Sequence, residues 1–176
     1  MPQVGRVLGG LARAYLANDG PNLVAASLHN EARMGHYEVL ETVALADCAL
    51  EIEGVDLDDL FATAARALAE LMVDPATLGR DLERHVDLAA PAVDLLLFDW
   101  LGELIALKDA DGVAFPEVQV HVECGTPCRL HARLAGGRLH GDATVALRAD
   151  PKAVTFHLFA LEPCSGGWRA RVVIDT

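Results

Sequence analysis

The chain has 176 residues, of which 52% are hydrophobic and only 5% aromatic, and its formal net charge is −12. This length fits one domain whose core is built mainly from aliphatic side chains. The charge argues against direct nucleic-acid binding, because the phosphate backbone repels an acidic surface. It suits a basic protein partner or a metal ion instead. No run of 18 apolar residues occurs, so we expect no membrane span.

The first 35 residues differ from the rest of the chain. They contain Gly-Gly and Gly-Pro breaks and only a weak helical pattern, and Met34 precedes the first strand-like segment. We predict an N-terminal extension over residues 1–35, either flexible or a misassigned start, and one domain over residues 36–176. Arg13 interrupts the apolar stretch near the start, which argues against a signal peptide and favours a cytoplasmic protein. The cysteines are then expected to be reduced.

The domain begins with an extended segment and a helix. Residues 37–53 read as extended. Asp56 is a suitable N-cap for a helix, with Asp59 three residues later completing a box-like start. The helix is predicted to end at Asp74. Its apolar stripe consists of Leu57, Leu60, Phe61, Ala64, Leu68, Leu71 and Met72.

A short strand and a second helix follow. Residues 82–88 alternate as a strand does, and Pro91 is predicted to open the helix. Leu95, Phe98 and Ile105 widen its stripe, so the helix should be buried on more than one side. The stripe itself consists of Val93, Leu96, Leu97, Trp100, Leu101 and Leu104.

The next segment predicts a hairpin whose register follows from side-chain pairing. If the turn is centred on Thr126, apolar residues face each other on one side and an acid faces a base on the other. A shift of one residue would destroy both patterns. The predicted pairs are Val122 with Leu130, Val120 with Ala132, Val118 with Leu134, Glu123 with Arg129, His121 with His131 and Gln119 with Arg133.

The chain closes with a second hairpin. Residues 153–161 form a strand, the Ser-Gly-Gly segment a turn, and residues 168–175 the return strand, with Val173 the one apolar side chain on its polar face. Helices in the first half and hairpins in the second predict an α+β fold. We expect two main helices packed on a mixed or antiparallel sheet with C-terminal hairpins.

Cysteine and histidine side chains offer three minor candidates. Cys124 and Cys128 are spaced for zinc but are more typical of small thiols on the buried face of the hairpin. His121 and His131 are either a cross-strand metal clip or ordinary exposed histidines. His157 is either a functional residue or a hydrogen-bonded histidine within a strand.

Oxygen ligands give the strongest candidate site. Asp47 begins a strand, and Asp175 and the terminal carboxylate of Thr176 end the last one. Carboxylates clustered without thiols or imidazoles select Ca²⁺, Mg²⁺ or Mn²⁺ over zinc. Lys152, just before a neighbouring strand, could reduce the repulsion among them or reach a phosphate. The alternative is a solvated acidic rim.

Familiar catalytic motifs are missing from the sequence. It contains no Gly-x-Ser-x-Gly elbow, Walker loop, dinucleotide fingerprint or HExxH segment. A self-contained enzyme is therefore poorly supported.

Several segments together resemble the archease family over residues 37–176. YEVLE resembles the family's opening, DCALEIEGVDLDDLF its strand, capping aspartate and first helix, and DLLLFDWLGELI its second helix. KAVTFH and GGWRARVVIDT are similar to its two closing strands. These last two are the most specific, because their order and their spacing from the C-terminus also fit.

The resemblance implies an α+β accessory protein that is not itself an enzyme. Archeases promote guanylylation and multiple turnover of RtcB-type RNA ligases in tRNA splicing and RNA repair. The family's metal, usually described as calcium, would be bound by Asp47, Asp175 and Thr176. Its functional lysine corresponds to Lys152, and His157 lies in the same motif. The sequence gives no indication of the oligomeric state.

Two alternatives stay open because the chain departs from the family pattern. The segment before Asp47 reads TVALA, so the family's His and Thr are missing, and the last residue is Thr176 where isoleucine is usual. One alternative is a diverged archease-fold binding module that does not activate a ligase. The other is a small metal-dependent hydrolase using Asp47 and Asp175.

Overall fold

The computed structural model describes residues 35–44 and 47–176, and at residues 40–44 and 47 it describes the strand backbone without side chains. The chain divides into two units, residues 1–33 and 34–176. All features below belong to the second unit. The predicted extension over residues 1–35 lies outside the described residues apart from Gly35, so it stays a prediction.

The described part of the chain forms two helices and two antiparallel sheets. The four-stranded sheet has the order β1-β2-β7-β6, and the three-stranded sheet has the order β3-β5-β4. This confirms the predicted α+β class, with two antiparallel sheets in place of one. In chain order the elements are β1 (His36–Ala44), β2 (Asp47–Gly54), α1 (Leu57–Met72), β3 (Leu82–Ala90), α2 (Val93–Asp111), β4 (Val113–Glu123), β5 (Cys128–Arg138), β6 (Ala153–Cys164) and β7 (Gly167–Asp175).

Apart from shifts of two or three residues at the ends of α1, β3 and β6, two features of the elements differ from the sequence prediction. The extended segment 37–53 is a hairpin of β1 and β2 and not one run. Helix α2 begins at Val93, with Ala92 in extended conformation as its N-cap, so Pro91 precedes the helix and does not open it. The Leu95 N–H donates to the Asp94 carboxylate at 2.8 Å. This bond satisfies one of the N–H groups in the first turn that have no partner within the helix.

The β4–β5 hairpin has the predicted register at all six pairs. Leu130, Ala132 and Leu134 are buried on one face of β5, while the alternating residues between them are exposed. Pairing of apolar with apolar and of acid with base therefore selects a single register here, as cross-strand packing requires.

The start of α1 also follows the prediction. The Asp59 N–H donates to the Asp56 carboxylate at 2.8 Å, which caps the helix. The Asp59 carboxylate accepts from the Val55 N–H at 3.0 Å and from the Gly35 N–H at 2.8 Å. One aspartate thus fixes both the β2–α1 turn and the chain entering β1.

Both helices share one hydrophobic core with the buried faces of the two sheets. The Trp100 indole of α2 is fully buried, and its N–H donates to the carbonyl of Phe61 in α1 at 3.1 Å. The bond holds the helices together and satisfies the polar end of the indole. The largest fully buried side chains are Trp100, Phe61, Leu50, Ile52, Leu60, Leu68, Leu96, Leu97, Leu101, Leu130, Leu134 and Ile174.

Replacement of Leu101 by alanine tests this core. Leu101 is 0% exposed, so Leu101→Ala should lower the free energy of unfolding by about 2–5 kcal/mol through lost burial and the cavity left behind. Urea titration measures the change. Val55, which is 45% exposed, provides the control, because Val55→Ala should cost under about 1 kcal/mol. Equal effects of the two substitutions would contradict the proposed packing of α2.

A tyrosine ties strand β1 to helix α1. The Tyr37 hydroxyl donates to the Glu70 carboxylate at 2.5 Å. Burial, followed by the hydrogen bond to Glu70 and its negative charge, raises the pKa of Tyr37 to about 12. An ionised phenolate would be less hydrated here and would lie against a carboxylate, so the fold favours the neutral form.

Alkaline titration should show this effect. Because the folded pKa of Tyr37 exceeds the unfolded value near 10, its stabilising contribution is complete below about pH 10 and is lost as pH rises towards 12. The difference in absorbance at 295 nm between wild type and Tyr37→Phe isolates this phenol from the protein's second tyrosine. A Tyr37 transition near pH 10 in the folded protein would contradict the hydrogen-bonded pair.

Candidate carboxylate site at the end of strand β7

Rows of residues cross the outer face of the four-stranded sheet, the face opposite the helices. In two of these rows an acid lies opposite a base. Arg169 pairs with Glu53 at 2.7 Å, and Arg171 forms a salt bridge with Glu51. Such opposite-charge pairs stabilise neighbouring strands. The next row along, Ala49 opposite Val173, is apolar and buried.

The last row breaks that pattern. Asp47 of β2 lies directly opposite Asp175 of β7, and Ala153 of β6 lies on the other side of Asp175. Directly opposite residues in antiparallel strands have Cβ atoms about 4.5–5.5 Å apart, and like charges at that distance are destabilising. The sequence prediction that these two aspartates lie close together agrees with the backbone register. No basic residue occupies the third position of the row.

Lys152 borders this row. Its backbone N–H donates to the Asp175 carbonyl at 2.8 Å, and its side chain is exposed. On its other side Asp150 forms a salt bridge with Lys108 of α2. Lys108, and to a lesser extent Lys152, lowers the pKa of Asp150. The positive charge of Lys152 therefore acts on Asp150.

A segment preceding Lys152, residues 146–149, is bound to the end of α1. We call it the strap. Its backbone N–H groups donate to the carbonyls of Met72 and Leu71, each at 2.9 Å, and its Ala146 carbonyl accepts from the Asp74 N–H at 2.9 Å. The strap, the Asp150–Lys108 bridge and the buried Pro151 fix the path of the chain towards Asp175.

The other predicted residues lie elsewhere or have other partners. His157 is exposed and lies in β6 where the register jumps from Thr155 to Ala160, so no residue of β7 is opposite it. It is therefore not a histidine paired within the sheet. Thr176 follows β7, is partly buried and makes interactions of its own.

The two histidines of the predicted metal clip are each hydrogen-bonded to an aspartate. His121 and His131 are cross-strand partners as predicted. His121 Nδ1 lies 3.1 Å from Asp58 and His131 Nδ1 lies 2.5 Å from Asp87. The hydrogen bond to Asp58 raises the pKa of His121. These rings therefore bind α1 and β3 through carboxylates.

The two hairpin cysteines differ in exposure. Cys128 is buried, and its thiol donates to the Gly125 carbonyl at 3.4 Å. Cys124 is exposed, so the prediction that both cysteines lie on the buried face is wrong for Cys124. The strand ends at Glu123, and the turn that follows directs Cys124 outwards.

The donor set at the end of β7 fits a hard cation. Asp47, Asp175 and the terminal carboxylate supply only oxygen, the ligand that Ca²⁺, Mg²⁺ and Mn²⁺ prefer. Thr155, one pair further along β6 on the same face, has a buried hydroxyl without a hydrogen-bond partner among the described residues. Among the described side chains no three His, Cys, Asp or Glu residues converge. A cation site here would therefore need Asp47 and the terminal carboxylate in addition to Asp175.

Sequence reasoning missed a group of aromatic residues on β6 and α2. The ring of Phe156 stacks on Phe98 with centroids 3.9 Å apart and planes 5° apart, and Phe159 meets both rings edge-on. Phe98 stood out as widening the apolar stripe of α2. The register jump that places Phe156 against it has no counterpart in the sequence pattern.

None of the helices in the described part of the chain has the length and apolar character that a membrane-spanning helix needs.

Comparison with known proteins gives a consistent result. The sequence profile of the Archease protein family matches residues 37–176. Protein archease of Archaeoglobus fulgidus is 35% identical over 130 residues, which cover 74% of this chain and 93% of the relative. Protein archease of Methanosarcina mazei is 33% identical over 140 residues, covering 79% and 94%.

Solved structures agree with the fold. The solution structure of protein 1598 from Methanobacterium thermoautotrophicum superposes with a TM-score of 0.65 at 27% identity, covering 80% of this chain and 98% of that one. The crystal structure from Thermotoga maritima described as an archease, possible chaperone, has a TM-score of 0.51 at 21% identity, covering 80% and 100%. With the two-helix fold and the closing strands described above, these matches show that the chain belongs to the archease family.

Proposed function

We propose that this protein is an accessory factor that promotes guanylylation and multiple turnover of an RtcB-type RNA ligase, in tRNA splicing or RNA repair in the cytoplasm. The observation that supports it is the row of two opposed aspartates beside Lys152 at the end of β7. By the family resemblance, the metal ligands and the functional lysine of archeases would lie at these positions. Relatives named only as archease or as a possible chaperone fit a protein that acts on another protein.

We further propose that a divalent cation, calcium with magnesium or manganese as alternatives, binds Asp47, Asp175 and the terminal carboxylate of Thr176. The cation would neutralise carboxylates that the register forces together. Lys152 would then present its ammonium group towards a phosphate or a carboxylate of the partner, because the metal takes over the nearby negative charge.

Metal binding should appear as a gain in thermal stability. At a concentration of cation about 100 times its Kd, the wild type should gain about 2.7 kcal/mol, which corresponds to a rise in Tm of about 5–10 °C. Asp175→Asn should abolish that rise. In chelator, Asp175→Asn should melt at the same temperature as the wild type or higher, because it removes a like-charge repulsion.

Glu51→Gln is the matched control for this experiment. Glu51 lies on the same face, but its negative charge is neutralised by the salt bridge to Arg171. This variant should lose some stability in chelator and keep the rise with metal. A full rise in the Tm of Asp175→Asn on adding cation would exclude Asp175 as a ligand. If the Tm of the wild type does not rise, these carboxylates are a solvated acidic rim and not a metal site.

Activation of the ligase is the direct test of function. Ligase from the same source is incubated with GTP and divalent cation, with and without this protein, and covalent attachment of GMP to the ligase is followed. We expect acceleration by the wild type and by Glu51→Gln. Asp175→Asn and Lys152→Ala should reduce the acceleration by about tenfold or more, equivalent to about 1.4 kcal/mol.

The alternatives give different results in the same assay. A folded wild type that does not accelerate guanylylation would favour the diverged binding module. Turnover of RNA or nucleotides by this protein without ligase, lost in Asp175→Asn, would favour the metal-dependent hydrolase.

A further inference from the structure

Large apolar side chains are exposed together at one place on the described surface. Phe156 is 63% exposed, Leu158 49% and Leu95 37%. Leu95 precedes Phe98 by one helical turn, and Phe98 stacks on Phe156. We call Leu95, Phe98, Phe156, Leu158 and Phe159 the Phe156 surface. Isolated exposed apolar residues are ordinary, whereas a contiguous group marks an interaction site.

The backbone of β6 is distorted in a way that displays this surface. Between Thr155 and Ala160 the strand advances five residues while β7 advances two. Leu158 within this bulge has φ of 55°, a conformation that a bulky side chain rarely adopts. Such strain persists only when the surroundings impose it, and it concentrates at functional segments. The bulge also interrupts the edge strand, so a partner would contact side chains here and would not add a strand.

Charges next to the surface indicate the chemistry of the partner. From Val93 to Leu107 every ionisable side chain of α2 is acidic, namely Asp94, Asp99 and Glu103. The first base, Lys108, is paired with Asp109 and Asp150. A partner element with an apolar side chain flanked by Lys or Arg matches this arrangement. A second copy of this chain, also at −12, does not.

The surface is continuous with the proposed functional end of β7. Phe156 lies three residues after Ala153, the neighbour of Asp175, which is about 10 Å along a strand. About two helical turns after Leu95, α2 has open space at Gly102, where an added Cβ would meet nothing within 4 Å. One partner element could therefore cover α2 and reach Lys152.

We infer that the Phe156 surface is the docking site for a basic, apolar-tipped segment of the ligase. This inference rests on the proposed function and adds where the partner binds. Docking and activation are then separate: the Phe156 surface sets affinity, and the β7 end acts once the two proteins are joined. The affinity for the ligase should also fall as salt is added, because salt screens the attraction between the acidic side chains of α2 and the basic segment.

The test measures acceleration of guanylylation as a function of the concentration of this protein, together with the Kd from calorimetry. Phe156→Ser should raise the Kd at least about tenfold, as expected for a central aromatic contact. At saturating concentration its maximal acceleration should equal that of the wild type. Asp175→Asn should do the reverse. It should lower the maximal acceleration and change the Kd less than Phe156→Ser does.

A second variant guards against a folding defect. Leu158→Gly removes an apolar side chain and relieves the positive φ, so its Tm should be unchanged or higher while its Kd rises. Leu147→Ser is the matched control, because Leu147 is 52% exposed on the strap and outside the Phe156 surface. It should bind as the wild type does.

The possible outcomes separate the two proposals. Wild-type affinity in both Phe156→Ser and Leu158→Gly, with acceleration intact, would overturn the docking site and leave the proposed function standing. A wild type that neither binds nor accelerates the ligase would overturn both. Self-association of the wild type that is lost in Phe156→Ser would identify a second copy as the occupant and overturn the inference.

Discussion

The position of β7 as an inner strand of the four-stranded sheet is the constraint on which the rest of the molecule depends. Its partners are β2 on one side and β6 on the other, so its register fixes which side chains meet across the whole sheet. The alternation that buries Val172 and Ile174 against the helices leaves Asp175 on the outer face. A shift of one residue would bury the arginines and the aspartate. The core therefore selects the register that opposes two carboxylates.

Local sequence rules predicted the parts of the fold that local chemistry determines. The β4–β5 register followed from complementary pairs, and the start of α1 from one capping aspartate. The opposition of Asp47 and Asp175 was predictable only because Asp47 begins and Asp175 ends a strand with strong alternation. The proposals of calcium as the metal and of an RNA ligase as the partner came from family resemblance.

What the sequence could not predict depends on contacts between distant segments. The bulge of β6 brings Phe156 onto Phe98 of α2, 58 residues earlier in the chain, and no local pattern encodes that contact. The exposure of Cys124 depends on where the turn leaves the sheet. The division of segment 37–53 into two strands is likewise set by pairing with β7, since both halves of the segment have strand composition.

The strap has a consequence for how this protein folds. The last turn of α1 has no basic residue, and its carbonyls at Glu70, Leu71 and Met72 accept hydrogen bonds from Arg148 and Ala149, more than 70 residues away. The helix therefore ends properly only after the second half of the chain has been made and has docked. Loop closure over that distance delays the last turn relative to the first. The same docking event leads the chain to Lys152, so the end of β7 where the site is proposed is completed late and together with the helix.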